Sequence, residues 1–147
     1  MHEQLYYLGQ IVLAIVLGGI LGWQREVRGK AAGARTYALV TAGAALFTIL
    51  SAYGFEGSQV DTSRVASQIV IGIGFLGAGT IMQRERHIEG LTTAAGLWMS
   101  AAVGMAVGLQ MYVLSVAVTL IVLLLLIFNE TGWVKSKEGV EDNGRKE

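Results

Sequence analysis

The sequence contains no cysteine and no proline. The lack of cysteine excludes a disulfide framework, a thiolate metal site and a cysteine nucleophile. The lack of proline allows every hydrophobic segment to run as an unbroken helix. Charged residues are also scarce: they make up 15% of the chain, against about 25% in ordinary soluble proteins. The formal net charge is zero, so bulk electrostatics indicates no nucleic-acid partner.

The few charges divide the chain into long uncharged stretches. Residues 4–24, 36–55 and 65–83 carry no charge over 21, 20 and 19 positions, and residues 90–129 carry none over 40. A helix needs about 20 apolar residues to cross a hydrocarbon core of roughly 30 Å. The first three stretches therefore predict one membrane span each and the fourth predicts two, with a turn at residues 108–111. The five predicted helices cover residues 6–23, 37–53, 65–82, 91–108 and 112–128.

Aromatic residues near the predicted helix ends support these boundaries, because amphipathic rings favour the headgroup level of a membrane. They are Tyr6, Tyr7, Trp23, Tyr37, Tyr53, Tyr112 and Trp133. We therefore expect these rings to lie at or just beyond the edges of the hydrocarbon core.

Basic residues predict the orientation of the bundle. In a five-span protein the first loop, the third connection and the C-terminal segment share one side, and they contain ten of the eleven Lys and Arg residues. Only Arg64 lies on the other side. The positive-inside rule places the N-terminus outside and the C-terminus in the cytoplasm. The predicted fold is an all-α, polytopic bundle of five transmembrane helices over residues 1–128, followed by a short polar cytoplasmic tail over residues 129–147.

None of the five predicted spans contains Asp, Glu, His, Lys or Arg. Proton relays and ion-coupled transporters keep ionisable groups at membrane depth, and magnesium prefers carboxylate oxygens and water. The composition of the spans therefore disfavours an active cation pump and leaves a passive pore open. Since neither a Ser-His-Asp set nor paired buried carboxylates are present, we expect no enzymatic activity, no catalytic residues, no cofactor and no metal site.

Glycines are concentrated in the third predicted span. Residues 72–77 match the spacing of a dinucleotide fingerprint, but they lack the strand–turn–helix context that this motif requires. We instead predict a helix-packing surface formed by Gly72, Gly74, Gly77 and Gly79. Two further pairs with small-xxx-small spacing are Gly18–Gly22 and Gly104–Gly108.

The first loop carries a net charge of +3 over Arg25, Glu26, Arg28, Lys30 and Arg35. Such charge fits a topogenic role together with contact to anionic lipid. The alternative is a docking site for a partner protein or an anionic ligand. An ion pair across this loop, between residues at the two facing helix ends, would be partly desolvated.

Polar residues also precede the third and fourth predicted helices. Asp61 or Ser63 is expected to cap helix three, because a side-chain oxygen there can accept a backbone N–H and a carboxylate favours a helix N-terminus. Arg64 follows within the first turn, and Gln68 extends this polar line into the span. Thr92 and Thr93 are expected to cap helix four.

Four blocks of sequence resemble the MgtC/SapB family of bacterial membrane proteins. They are residues 22–26 (GWQRE), 30–36 (KAAGART), 61–79 (DTSRVASQIVIGIGFLGAG) and 90–98 (GLTTAAGLW). The blocks occur in the family's order, and the likeness extends over about residues 10–128. The likeness departs from longer members after helix five, where they continue into a soluble cytoplasmic domain and this sequence ends.

The resemblance implies an inner-membrane protein linked to growth in low magnesium and, in pathogens, to survival inside host cells. It implies a regulator that binds other membrane complexes, including the proton-driven ATP synthase. The alternative is a channel or carrier for magnesium or another small solute, formed by a homo-oligomer. Expected partners are membrane lipids, a membrane protein complex and a second copy of the chain in a dimer. Interaction residues carried over by motif position are Arg25, Glu26, Lys30, Arg35, Asp61, Arg64, Gln68, Thr92 and Thr93.

The absence of cysteine makes the predicted orientation testable with single cysteine substitutions. Ser58→Cys should react with an impermeant thiol reagent on intact cells, because the second connection is predicted to lie outside. Ser136→Cys should react only after lysis, because the tail is predicted to be cytoplasmic. The opposite labelling pattern would reverse the orientation, and labelling of both positions on intact cells would contradict five spans.

Overall fold

The computed structural model describes residues 2–55, 61, 63–84 and 87–141, with side chains described as far as residue 128. Its elements are α1 (His2–Val27), α2 (Ala34–Tyr53), α3 (Ser63–Ala78), β1 (Met82–Arg84), β2 (His87–Glu89), α4 (Leu91–Gly108) and α5 (Tyr112–Glu141). Helices α1, α2 and α4 are each long and apolar enough to cross a membrane, and Ser63–Ala78 and Tyr112–Phe128 are shorter apolar helices. The predicted all-α membrane bundle of five helices is confirmed, with one short β-hairpin added to it.

Helices α1, α2 and α4 form the centre of the bundle, with α2 packed against both of the others. Glycines allow this close approach. A Cβ on Gly22 would lie 2.6 Å from the Gly33 carbonyl oxygen, and a Cβ on Gly104 would collide with the Thr41 carbonyl oxygen. Because lipid supplies no hydrophobic drive for helix association, tight packing of this kind stabilises membrane bundles. Both small-xxx-small pairs predicted from the sequence lie at these contacts.

Helix α3 lies at the periphery, against α4 and α2, and only Ile73 and Gly77 of its residues are buried. A Cβ added to Gly72 or Gly74 would meet no atom within 4 Å among the described residues. The prediction that these two glycines pack against neighbouring helices is therefore wrong within one chain. Gly77 is in ordinary contact with Ala94 of α4, and the nearest atoms to a Cβ on Gly79 are carbonyls of its own turn.

The end of α3 also differs from the prediction. The helix stops at Ala78 rather than at residue 82, so its 16 residues measure only about 24 Å along the axis. The Thr80 hydroxyl donates to the Gly77 carbonyl oxygen at 2.8 Å in the turn that follows. The chain then forms the antiparallel β1–β2 hairpin, in which Met82 pairs with Glu89. Three-residue strands are too short to produce an alternating hydrophobic pattern, so the sequence did not indicate this hairpin.

Gly90 closes the hairpin onto the start of α4. Its φ of 91° lies in the left-handed region, which side chains other than glycine rarely adopt. A Cβ at this position would also collide with the Thr80 carbonyl oxygen. Gly90, rather than a threonine, therefore occupies the N-cap of α4, and no side-chain cap is formed there.

The remaining boundaries agree with the prediction near the middle of the chain and differ at its ends. The turn between α4 and α5 falls at residues 109–111, as expected. Helix α1 extends to His2 and Val27, and α5 continues to Glu141, through most of the predicted tail. Residues 142–147 of that tail lie outside the described part of the chain.

Matched substitutions distinguish a glycine packed between helices, Gly104, from a glycine on the open side of α3, Gly74. Gly104→Leu should destabilise the bundle by about 1–3 kcal/mol or more, because the new side chain has no space against α2. Gly74→Leu should leave the stability nearly unchanged, because its Cβ enters open space. Thermal unfolding of both variants in detergent provides the measurement. Equal destabilisation by the two substitutions would show that the exposed side of α3 is packed as tightly as the centre.

Candidate functional site

The structure buries one charged side chain between the central helices. Arg25, in the last turn of α1, is only 2% exposed. Its guanidinium donates to the Thr93 hydroxyl of α4 at 3.2 Å and forms a hydrogen bond with the hydroxyl of Tyr37 on α2. Tyr37 is itself fully buried and donates to the Thr93 carbonyl oxygen at 3.3 Å. These three residues, here called the Arg25 cluster, connect α1, α2 and α4.

The local sequence leaves room for this cluster. Gly96 lies three residues after Thr93, and a Cβ there would collide with the Tyr37 hydroxyl. On the α1 side, the Lys30 N–H donates to the Arg25 carbonyl oxygen at 3.0 Å, so that the chain turns away at the end of the helix. The small residues around Tyr37 and the turn after α1 therefore position the guanidinium inside the bundle.

The neighbouring Glu26 has a separate role. Its carboxylate accepts the Ala34 N–H, the first of α2, at 2.8 Å, and an acceptor with negative charge stabilises a helix N-terminus. A Cβ on Gly33 would lie 2.7 Å from the same carboxylate oxygen. Glu26 thus closes the loop between α1 and α2 through a carboxylate that caps α2.

Two buried amides attach α1 to the other helices. Gln10 donates to the Val107 carbonyl oxygen of α4 and to the Tyr112 hydroxyl of α5, both at 2.9 Å. Gln24 donates to the Leu126 carbonyl oxygen of α5 at 3.3 Å. Since the two glutamines are about four helical turns apart, they lie on the same side of α1. Neither glutamine was among the predicted functional residues, although their spacing inside an apolar segment could have identified them from the sequence.

Asp61 caps the start of α3, as the sequence predicted. Its carboxylate accepts the Ser63 backbone N–H at 3.0 Å and the Ser63 hydroxyl at 2.6 Å. These hydrogen bonds, assisted by the nearby Arg64 charge, lower the pKa of Asp61 from its usual range. The cap is therefore charged at neutral pH and weakens only when acid protonates the carboxyl.

The β1–β2 hairpin carries a small ionic cluster on its surface. Glu89 lies 2.9 Å from the His87 ring nitrogen and 3.6 Å from the Arg84 guanidinium. The hydrogen bond from His87 and the charge of Arg84 lower the pKa of the Glu89 carboxyl. All three side chains are about half exposed or more. Because exposed ion pairs contribute little stability, we expect this cluster to add little to the stability of the fold.

The predicted interaction residues divide into a buried set and an exposed set. Arg25 and Thr93 are buried together, so neither is accessible to a partner, and the prediction that Thr93 caps α4 is wrong. Tyr37 is buried as well and is not a headgroup anchor. The predictions for Thr93 and Tyr37 were wrong for the same reason. Both side chains pair with residues of other helices, and such tertiary contacts cannot be read from local sequence. The exposed set comprises Glu26, Lys30, Arg35, Asp61, Arg64, Gln68 and Thr92.

The chain is similar to known proteins of one family along most of its length. The profile of the MgtC family matches residues 11–132. "Putative magnesium transporter YhiD" of Escherichia coli K12 is 44% identical over 126 residues, which are 82% of this chain and 59% of that protein. "Protein MgtC" of Salmonella typhimurium LT2 is 44% identical over 117 residues, 80% of this chain and 49% of that protein.

A third relative, "Protein MgtC" of Brucella abortus, is 48% identical over 95 residues, 65% of this chain and 39% of that protein. The chain thus spans between about two fifths and three fifths of the length of these relatives. No solved structure matches it. The span matched by the family profile includes the whole Arg25 cluster and Gln24, whereas Gln10 lies one residue before it.

Isosteric substitutions test the Arg25 cluster without opening a cavity. Thr93→Val should destabilise the protein by about 1.5–3 kcal/mol, because it removes a hydroxyl bonded to a charged group. Tyr37→Phe should destabilise the protein by a similar amount, about 1.5–3 kcal/mol, because its hydroxyl also bonds to the guanidinium and to the Thr93 carbonyl oxygen. Thr92→Val, at the exposed neighbouring position, is the control and should be nearly neutral. Thermal unfolding in detergent is the measurement, and equal effects at positions 92 and 93 would refute the cluster.

Proposed function

This chain belongs to the MgtC family, and on that premise we propose that it is a non-enzymatic, multi-pass regulator in the bacterial inner membrane. In this proposal the N-terminus faces outside and the C-terminus faces the cytoplasm. The protein supports growth in low magnesium by binding a partner membrane complex. The family resemblance suggests the proton-driven ATP synthase as the first partner to test. The link to magnesium draws its support from the name of the Escherichia coli relative.

The Arg25 cluster is the observation that carries the proposal. Among the described residues, Arg25 is the one charged side chain that is buried, and it is a cation. In the weakly screened interior of a protein, a fixed positive charge repels a divalent cation strongly. Magnesium sites use carboxylates and water, whereas the described acidic side chains lie outside the buried core. The junction of α1, α2 and α4 around Arg25 is therefore better suited to holding these helices together than to passing magnesium.

The buried hydroxyls support the same conclusion. Thr41 donates to the Tyr37 carbonyl oxygen, Thr48 to that of Ala44 and Ser100 to that of Leu97, each at 2.8 Å within its own helix. A hydroxyl bonded in this way uses its hydrogen-bond donor on the backbone of its own helix. They are also packed between helices with 3% exposure or less. They thus form no open polar path through the centre of one chain.

The exposed charges provide the surface on which a partner can act. Lys30 and Arg35 lie in the first loop and the first turn of α2. In the five-span topology, the β1–β2 hairpin with Arg84 is on the same side. Charged surfaces of this kind chiefly set the specificity and the rate of association. We therefore place the contact with the partner complex at this basic end.

The second candidate function is a channel or carrier for magnesium or another small solute. It is favoured by the name of the Escherichia coli relative and by the groove beside α3, whose lining includes the exposed Gln68. Because the centre of one chain is closed by packing, such a path would require an interface between two copies in a homodimer.

Two measurements separate these functions. In bacteria that lack their own MgtC-family gene, Arg35→Ala should lose the ability to restore growth in low magnesium, since it removes a charge from the proposed contact surface. Arg64→Ala, an exposed arginine at the other end of the bundle, is the matched control and should restore growth. Purified protein in liposomes should give no magnesium flux above that of empty vesicles. Saturable flux that Gln68→Leu abolishes would overturn the regulator in favour of the channel.

A further inference from the structure

A groove runs along the seam between α2 and α3. Its first part has a volume of about 470 Å³ and lies between Gly43 of α2 and Gly72 of α3, with Ala101 of α4 in its floor. Its second part, of about 430 Å³, extends from there to the end of α3. Val40 and Leu76 line both parts. The two parts therefore form one continuous groove, here called the α2–α3 groove.

The walls of the groove are apolar over most of its length. Gln68 is the one residue with a polar side chain that lines the first part. A Cβ added to Gly43 or Gly72 would meet no described atom within 4 Å, so the groove has free width at both glycines. On a bundle that spans a membrane, a groove open at its side faces lipid hydrocarbon. Atoms along an unfilled gap lose their dispersion contacts, which favours occupation by an acyl chain.

The other end of the groove is polar. Thr36 at the start of α2 and Thr80 after α3 line it, together with Ala31 of the first loop. Two exposed basic residues, Lys30 and Arg35, are the immediate neighbours of Ala31 and Thr36 in the chain. The carboxylate of Glu26 is engaged by the Ala34 N–H, and without the buried Arg25 the first loop carries a net charge of +2 over residues 26–35. The groove is thus apolar along its length, with hydroxyls and positive charge at one end.

We propose that the α2–α3 groove binds one anionic phospholipid. An acyl chain lies along Val40, Gly43, Gly72 and Leu76, and the phosphate contacts Lys30 and Arg35 with help from the Thr36 hydroxyl. A juxtamembrane Lys or Arg is attracted to an anionic membrane surface. Because the positive-inside rule assigns this end to the cytoplasm, the lipid comes from the inner leaflet.

Charge complementarity favours a lipid over a second copy of the chain as the occupant. Two copies related by a two-fold axis along the membrane normal would present the same basic end on the same side. Their like charges would then meet at the mouth of the groove, and repulsion opposes such an arrangement. An anionic headgroup neutralises those charges. The inference holds for a regulator and for a channel alike, so its failure would leave the proposed function standing.

The test measures the thermal stability of the purified protein in a neutral detergent after addition of phosphatidylglycerol, of phosphatidylethanolamine or of glycerol 3-phosphate. Phosphatidylglycerol should raise the unfolding temperature and should be retained as one bound lipid in native mass spectrometry. The zwitterionic lipid should give a clearly smaller rise, and the chain-free phosphate should give none. Gly72→Leu, which fills the groove, and Arg35→Gln, which removes a headgroup contact, should each reduce the rise by at least half.

Gly9→Leu is the matched control for the first substitution, because a Cβ at Gly9 of α1 also meets no atom within 4 Å. It should retain the full response to phosphatidylglycerol. Arg35 is exposed on the surface, so that its variant keeps the test valid if Gly72→Leu fails to fold. An equal rise with both lipids, a rise with glycerol 3-phosphate alone, or an unchanged rise in Arg35→Gln would overturn the proposal. A lipid-free dimer that dissociates in Gly72→Leu would assign the groove to a second copy instead.

Discussion

The buried guanidinium of Arg25 is the constraint on which the arrangement of the central helices depends. A cation removed from water is tolerated only when polar groups surround it in good geometry. Here those groups come from two other helices, through the Thr93 hydroxyl and the Tyr37 hydroxyl. The end of α1 is therefore fixed against α2 and α4 at once. The glycines at positions 22, 96 and 104 provide the close approach that brings these groups within reach.

The sequence could predict the number of helices because charge and hydropathy report directly on membrane spans. Uncharged stretches located all five, and the turn after Gly108 was placed correctly. Helix ends were less predictable. Helix α3 stops early at a turn that contains Thr80, and Gly90, ten residues later in the chain, packs against that turn. Glycine spacing showed that helices pack closely but not which side of α3 faces a neighbour. The partners of Arg25 and Tyr37 lie 68 and 56 residues away, beyond the reach of local pattern.

The proposed function follows from the contrast between the interior of the bundle and its basic end. Inside, the described polar side chains connect helices or bond their own backbone. At the basic end, Lys30 and Arg35 remain exposed beside the mouth of the α2–α3 groove. The exposed charged groups of such a protein are available to the membrane surface and to neighbouring molecules. Membership of the MgtC family and the proposed lipid site agree with an action on other membrane components.

A double-mutant cycle tests most directly whether Arg25 joins α1 to α4 through Thr93. The unfolding free energy would be measured for the wild type, Arg25→Met, Thr93→Val and the double variant. We expect the two substitutions to be coupled by about 0.5–3 kcal/mol, as residues in one hydrogen-bond network are. Additivity within about 0.3–0.5 kcal/mol, the range for independent sites, would contradict the account.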